Sequence, residues 1–159
     1  MSNTRKPARS FGLLGIITIA TAGAFFAAVS APSPVLAAQE LKMVEHATTD
    51  AVTDTGASGD SAGDILTFAN EVYDAEDKAK IGTDQGICFR TVVGKAWECF
   101  WTLSLDKGQL TVEGPFYDAG DSVLAITGGT GEFAGATGDM ALSAHGTEGT
   151  AYDFTYHIK

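Results

Sequence analysis

A chain of 159 residues with 20 Asp and Glu against 10 Lys and Arg carries a formal charge of −10 and has length enough for one domain with its own core. Three of the basic residues, Arg5, Lys6 and Arg9, stand at the start, so past residue 37 the balance is 7 basic to 20 acidic, a formal −13. A surface of that sign repels phosphate, which excludes nucleic acid and a stable membrane partner and favours solubility.

Behind the basic residues runs an apolar stretch from Phe11 to Val29, then Ala31-Pro32-Ser33-Pro34-Val35-Leu36-Ala37-Ala38, ending in the small residues a signal peptidase accepts. Residues 1–37 are therefore read as a signal peptide, with cleavage after Ala37 or Ala38 and a secreted product. No twin-arginine pair precedes the apolar run, which points to general secretion, and an uncleaved membrane anchor is the alternative.

The mature part reads as β throughout. Residues 38–62 hold the first strand, over 40–49, and a flexible acidic loop from Asp50 to Gly63; residues 63–159 complete the same domain. Further strands are expected at 62–72, 79–92, 95–106, 108–118, 120–127, 136–147 and 149–158, separated by Gly94-Lys95, Lys107-Gly108, Gly120-Asp121, Gly128-Gly129-Thr130-Gly131 and Gly146. Residues 74–80 are too short and polar for more than a turn. The total is eight strands with almost no proline to blunt an edge. The expected fold is therefore an all-β, eight-stranded antiparallel closed barrel with a central apolar cavity, preferred over a sandwich.

The two cysteines of the chain, Cys88 and Cys99, fall on one hairpin. With Gly94-Lys95 as the turn they lie diagonally; with Val93-Gly94 they lie directly opposite, within bonding reach. In either register Cys88, Arg90, Trp97, Cys99 and Trp101 share a face. A disulfide suits an oxidising compartment, and two buried thiols, one lining a pocket, are the alternative. The face that packs such a barrel is also the wall of its cavity.

Other motifs carry less. Gly129 to Gly135 imitates a dinucleotide fingerprint, but only 24 residues follow, with no room for a crossover helix and a further strand, so it is read as a tight turn. His46, His145 and His157 lack metal-ligand spacing, and Asp50, Asp54, Asp60 and Asp64 lack the alternate spacing of a calcium loop, so no metal is expected. Glu45 lies in the first strand with Met43 and Ala47 on its side. It either points into an apolar barrel, where a carboxylate is costly unless it works or is paired, or faces outward as an ordinary surface charge.

Gly63-Asp64, Phe68-Ala69-Asn70-Glu71-Val72-Tyr73, Gly82, Gly86-Ile87-Cys88, Gly114-Pro115 and Leu124 to Phe133 together resemble the allene oxide cyclases; the last piece, with Ala136 and Gly138, is also similar to the dirigent proteins. The resemblance covers about residues 41–142. It implies an eight-stranded barrel with an apolar cavity, no cofactor, a homotrimer, and an apolar small molecule as the partner. It also implies either a cyclase or isomerase of an oxygenated, epoxide- or oxylipin-like substrate, or a non-catalytic, dirigent-like binding barrel. By resemblance Glu45 stabilises positive charge as an epoxide opens, Asn70 helps hold a water at the epoxide oxygen, and Cys88, Trp97 and Phe116 fall at cavity positions; Phe68, in the matched motif, and Trp101, on the hairpin face of Cys88 and Trp97, complete the expected cavity lining. The sequence departs from the family pattern at Ala47, where the family has a second asparagine, at Thr53-Asp54 in place of a serine-proline pair, and at Phe116 in place of a tyrosine. Cys99, absent from the plant enzymes, is available to tie up Cys88.

Overall fold

The structure, a computed structural model, describes residues 38–159, and buried and exposed side chains alternate along most of its longer strands; the expected signal peptide lies outside the described residues. The elements are β1 (Gln39–His46), β2 (Ala51–Thr53), β3 (Ile65–Asp74), β4 (Lys80–Val92), β5 (Ala96–Leu105), β6 (Gly108–Tyr117), β7 (Ser122–Gly129), β8 (Gly138–Ala144) and β9 (Ala151–Ile158), with one turn of 3-10 helix at Gly131–Phe133. From β3 to β9 each strand pairs with the next, β9 pairs with β1, and β1 returns to β3. Eight antiparallel strands thus close into a barrel, which leaves no long unpaired edge.

β2 falls inside the segment expected as a flexible loop. It lies on the same edge of β3 as β1 does, β1 opposite residues 71–74 and β2 opposite residues 65–67, so the two share one lane of the barrel. Thr49 and Asn70 bridge the break: the Thr49 hydroxyl accepts from Ala69 N at 2.8 Å and donates to Asn70 Oδ1 at 2.8 Å. The aspartates beyond β2 are also engaged, contrary to the expected solvated loop. Asp64 is buried, and its carboxylate accepts from Thr55 N, Ser61 N and Ser61 Oγ at 2.7–3.0 Å, bonds that hold it below the ordinary carboxylate range. Asp60 sits 2.6 Å from Arg90 Nε and accepts from Gly94 N, fastening this segment to the β4–β5 hairpin.

In that hairpin the register is the one that sets Cys88 directly opposite Cys99. It arises because the ladder slips between Arg90 and Val92, and the chain turns through Val93-Gly94-Lys95 with Gly94 at φ 64°. Cys88 and Cys99 are buried in the core and joined, with an S–S distance of 2.00 Å. Cys88 is therefore not a free thiol facing a ligand. Replacing both cysteines by alanine removes a cross-link of sequence separation 11 and is expected to cost about 3 kcal/mol, read as a lowered midpoint in denaturant titration with the barrel's circular dichroism unchanged.

One end of the barrel is packed shut by Leu103, Leu110, Phe133, Met140 and Ile158, all nearly or fully buried. The other end, where β1 stops and β9 begins, carries the site. Among the described residues no helix is long and apolar enough to cross a membrane.

Candidate functional site

The open end holds a pocket of about 30 Å³, the room of a single water. Phe68, Trp101, Phe116, Tyr152 and Phe154 form its walls, and Glu45 and Asp50 supply its polar edge. Rings fill the central space that the sequence reading left as a cavity: Trp101 stacks on Phe154 at 5.8 Å, and Phe116 meets Tyr152 edge-on at 5.8 Å. Gly86 makes room for this packing, since a Cβ there would overlap the Trp101 Cβ and come within 2.7 Å of Phe68 Cζ. A drug-sized ligand needs roughly 300 Å³ or more, so entry requires the half-buried rings of Phe68, Phe116 and Tyr152 to swing aside.

Glu45 points inward and is only 5 % exposed. Alternation along β1 places it on the Met43 face, and its ladder neighbours are Val72 on β3 and Tyr152 on β9. Asn70 Nδ2 donates to Glu45 Oε1 at 2.7 Å and to Asp50 Oδ1 at 2.9 Å, while Asn70 Oδ1 accepts from Thr49 N at 3.0 Å and from Thr49 Oγ1 at 2.8 Å. An amide has two donors and one doubly accepting oxygen, so every bond Asn70 can make is taken by the protein. It fixes Glu45 and has nothing left for a ligand oxygen.

Directly across the ladder from Asn70 is Asp84 on β4, 1 % exposed, its carboxyl against that of Glu45. No sequence motif marks it. Burial, followed by the charge of Glu45, pushes the Asp84 carboxyl up to about 9. Burial also pushes Glu45 up to about 7, against the pull of the Asn70 hydrogen bond and with some help from the Asp50 charge. Two carboxyls in contact cannot both ionise cheaply. At neutral pH Asp84 therefore keeps its proton, and Glu45 stands near its midpoint, able to accept or release one.

Of the residues expected at the site, Glu45, Phe68, Trp101 and Phe116 come together on the pocket, and Asn70 lies behind Glu45. Trp97 does not join them. The Arg90 guanidinium covers its ring at 4.0 Å, and Asp118 holds that guanidinium at 2.6 and 2.8 Å. Each histidine pairs with a different aspartate: His46 with Asp77, His145 with Asp153, His157 with Asp139. Among the described residues no three His, Cys, Asp or Glu side chains gather in a way that could hold a metal ion.

Solved structures share this architecture. A pyocyanin demethylase aligns at a TM-score of 0.68 with 26 % identity over 76 % of this chain and 100 % of its own. A pterocarpan synthase dirigent protein aligns at 0.62 with 16 % identity, covering 77 % and 97 % of the two chains. An exo-specific intermolecular Diels-Alderase aligns at 0.62 with 13 % identity, covering 77 % and 98 %. The last two likenesses are of fold alone. The sequence model of the allene oxide cyclases matches residues 35–146, most of the chain, and on that match the protein belongs to the allene oxide cyclase family.

Proposed function

We propose that the protein is a cofactor-independent cyclase or isomerase of a small apolar, oxygenated molecule of the epoxide or oxylipin kind, with Glu45 as its catalytic residue. The observation that carries this reading is the buried carboxyl pair. A glutamate walled by aromatic rings and backed by a protonated aspartate is costly to fold and suited to proton transfer near neutral pH. As an anion, Glu45 stabilises positive charge that develops on carbon when an epoxide C–O bond opens, or removes a proton from carbon; as an acid, it returns one. Asn70 and the protonated Asp84 hold it in place from two sides. The rings of Phe68, Trp101, Phe116 and Tyr152 exclude water and fold the substrate chain toward the reacting geometry, which is how a shaped apolar site selects one cyclisation.

The fold itself does not choose the reaction, since similar barrels are named for demethylation, for dirigent activity and for cycloaddition. The choice has to come from the pocket. Incubating the purified protein with a panel of unsaturated epoxides, oxylipins and phenylpropanoids, with products separated by chiral chromatography, tests the proposal. Accelerated, stereoselective conversion supports it. Binding detected by native mass spectrometry without conversion of any panel member overturns the catalytic reading in favour of a dirigent-like or carrier barrel.

A further inference from the structure

Inside the barrel, next to the pocket, Trp101 Nε1 and the Tyr156 hydroxyl are buried and have no hydrogen-bond partner among the described residues. Both Asp84 oxygens are likewise without a partner, and they lie beside the Glu45 carboxyl, within the pair already described. Trp101 and Tyr156 lie outside that carboxyl pair. The two lie close to each other: Phe154 stacks on Trp101 at 5.8 Å and meets Tyr156 edge-on at 6.3 Å, and the indole N–H lies toward the phenol oxygen without closing a bond to it. Trp101 is also a wall of the pocket, and Tyr156 is close enough to Asp84 and Glu45 to feel their charge. A buried donor without an acceptor works against folding, and two of them facing one interior point to a group that arrives from outside the chain.

We infer that Trp101 Nε1 and the Tyr156 hydroxyl form the oxygen-binding end of the site, receiving the carbonyl, phenolic or epoxide oxygen of a ligand whose apolar body lies among the rings at the mouth. This rests on reading the pocket as the active site. It gives the ligand a direction, oxygen innermost, with its carbons passing Glu45. Negative charge that gathers on that oxygen during the reaction then meets two fixed donors in a water-free interior, where such bonds are strongest. Burial holds the Tyr156 hydroxyl far above the ordinary phenol range, so it remains a donor across the working pH of any exported protein.

The test is a fluorine NMR titration of the full mature chain with para-fluorophenol and with fluorobenzene, a pair that differs only in the hydroxyl. The wild-type protein is expected to bind the phenol about tenfold more tightly, and Tyr156→Phe to bring the two affinities together while leaving fluorobenzene binding unchanged. Tyr156→Phe is also expected to melt at or above the wild-type temperature, because it removes a hydroxyl that nothing in the protein satisfies. A phenol preference that survives in Tyr156→Phe, or is absent from a wild type that does bind fluorobenzene, overturns the inference and leaves the pocket reading standing. Failure to bind either probe overturns both. A Tyr156→Phe protein that melts well below wild type assigns the hydroxyl a structural partner and likewise overturns the inference.

Discussion

Glu45→Gln is expected to lower kcat/KM by about 10²–10⁴ on whatever substrate the wild type converts, with little change in how tightly that substrate binds. Gln is the same shape as Glu and still accepts from Asn70 Nδ2 through its Oε1, so the pocket keeps its walls and its hydrogen bond. What is lost is the charge and the proton. The wild-type rate should rise with pH through about 7, because Glu45 is pushed up to about 7 and the ionised form is the one that faces developing positive charge or removes a proton. Residual activity in the Gln variant should have no such limb. A Gln variant as fast as wild type would remove Glu45 from the mechanism, whatever the ligand proves to be.

Asp84→Asn is expected to act mainly on stability, and in a direction opposite to that of ordinary carboxylates. Asp84 is raised from 3.8 to about 9 and Glu45 from 4.5 to about 7 by folding. Well below pH 4 both groups are protonated in the folded and unfolded chains alike, and whatever their neutral forms contribute is fully present. As pH rises past the unfolded values, only the unfolded chain releases protons, and stability falls by up to about 1.4 kcal/mol per pH unit for each group. The loss from Glu45 ends near 7 and that from Asp84 near 9. Asp64 and Glu71 are held low instead, so their contribution is lost only as pH falls below their ordinary range, and it does not offset the decline above pH 5.

Denaturant titrations should therefore show the wild type weakening between pH 5 and pH 9. Asp84→Asn should flatten most of that slope and be roughly 2–5 kcal/mol more stable than wild type at pH 8. Because an asparagine amide can still donate to Glu45, the activity limb near 7 should persist in this variant. An Asp84→Asn protein with the wild-type slope would mean that Asp84 ionises normally in the folded state.

Much of the barrel was legible because glycine marks its turns. Lys107-Gly108 and Gly120-Asp121 separate β5 from β6 and β6 from β7 within two residues of where the sequence divides them. β2 was not legible: Ala51-Val52-Thr53 is three residues inside an aspartate-rich segment, and only the exposed edge of β3 makes it a strand. The cysteine hairpin was legible up to its register. The slip between Arg90 and Val92, which sets the cysteines opposite each other across a three-residue turn that matches neither candidate, has no signature in those residue types.

The site divides in the same way. Alternation with Met43 offered Glu45 an inward orientation but could not exclude the outward one, because a single acidic residue in a short strand satisfies either face. Asp84 sits in Gly82-Thr83-Asp84-Gln85-Gly86, inside the strand expected over 79–92, where no neighbouring residue type marks it as inward. Only pairing across three strands, β1 to β3 to β4, turns that aspartate inward beside Asn70 and Glu45. Tyr152, Phe154 and Tyr156 alternate on β9 and so belong to one face by pattern, but nothing local tells a packed ring from a ring beside a carboxyl. The resemblance gave Asn70 as a holder of water at a ligand oxygen; its four bonds go to the protein instead, and they are set by the β1–β2 break, which the sequence does not reveal.

Carboxyl-carbon NMR of the labelled protein, titrated from pH 4 to 10, reads the protonation of Glu45 and Asp84 directly. The expected result is one carboxyl assigned to Glu45 titrating near 7 and one assigned to Asp84 still protonated at neutral pH and titrating near 9, with the upper transition absent in Asp84→Asn. Both groups titrating near 4 would contradict the account: the pair would then be fully ionised and solvated at neutral pH, and Glu45 would have no proton to exchange with a substrate.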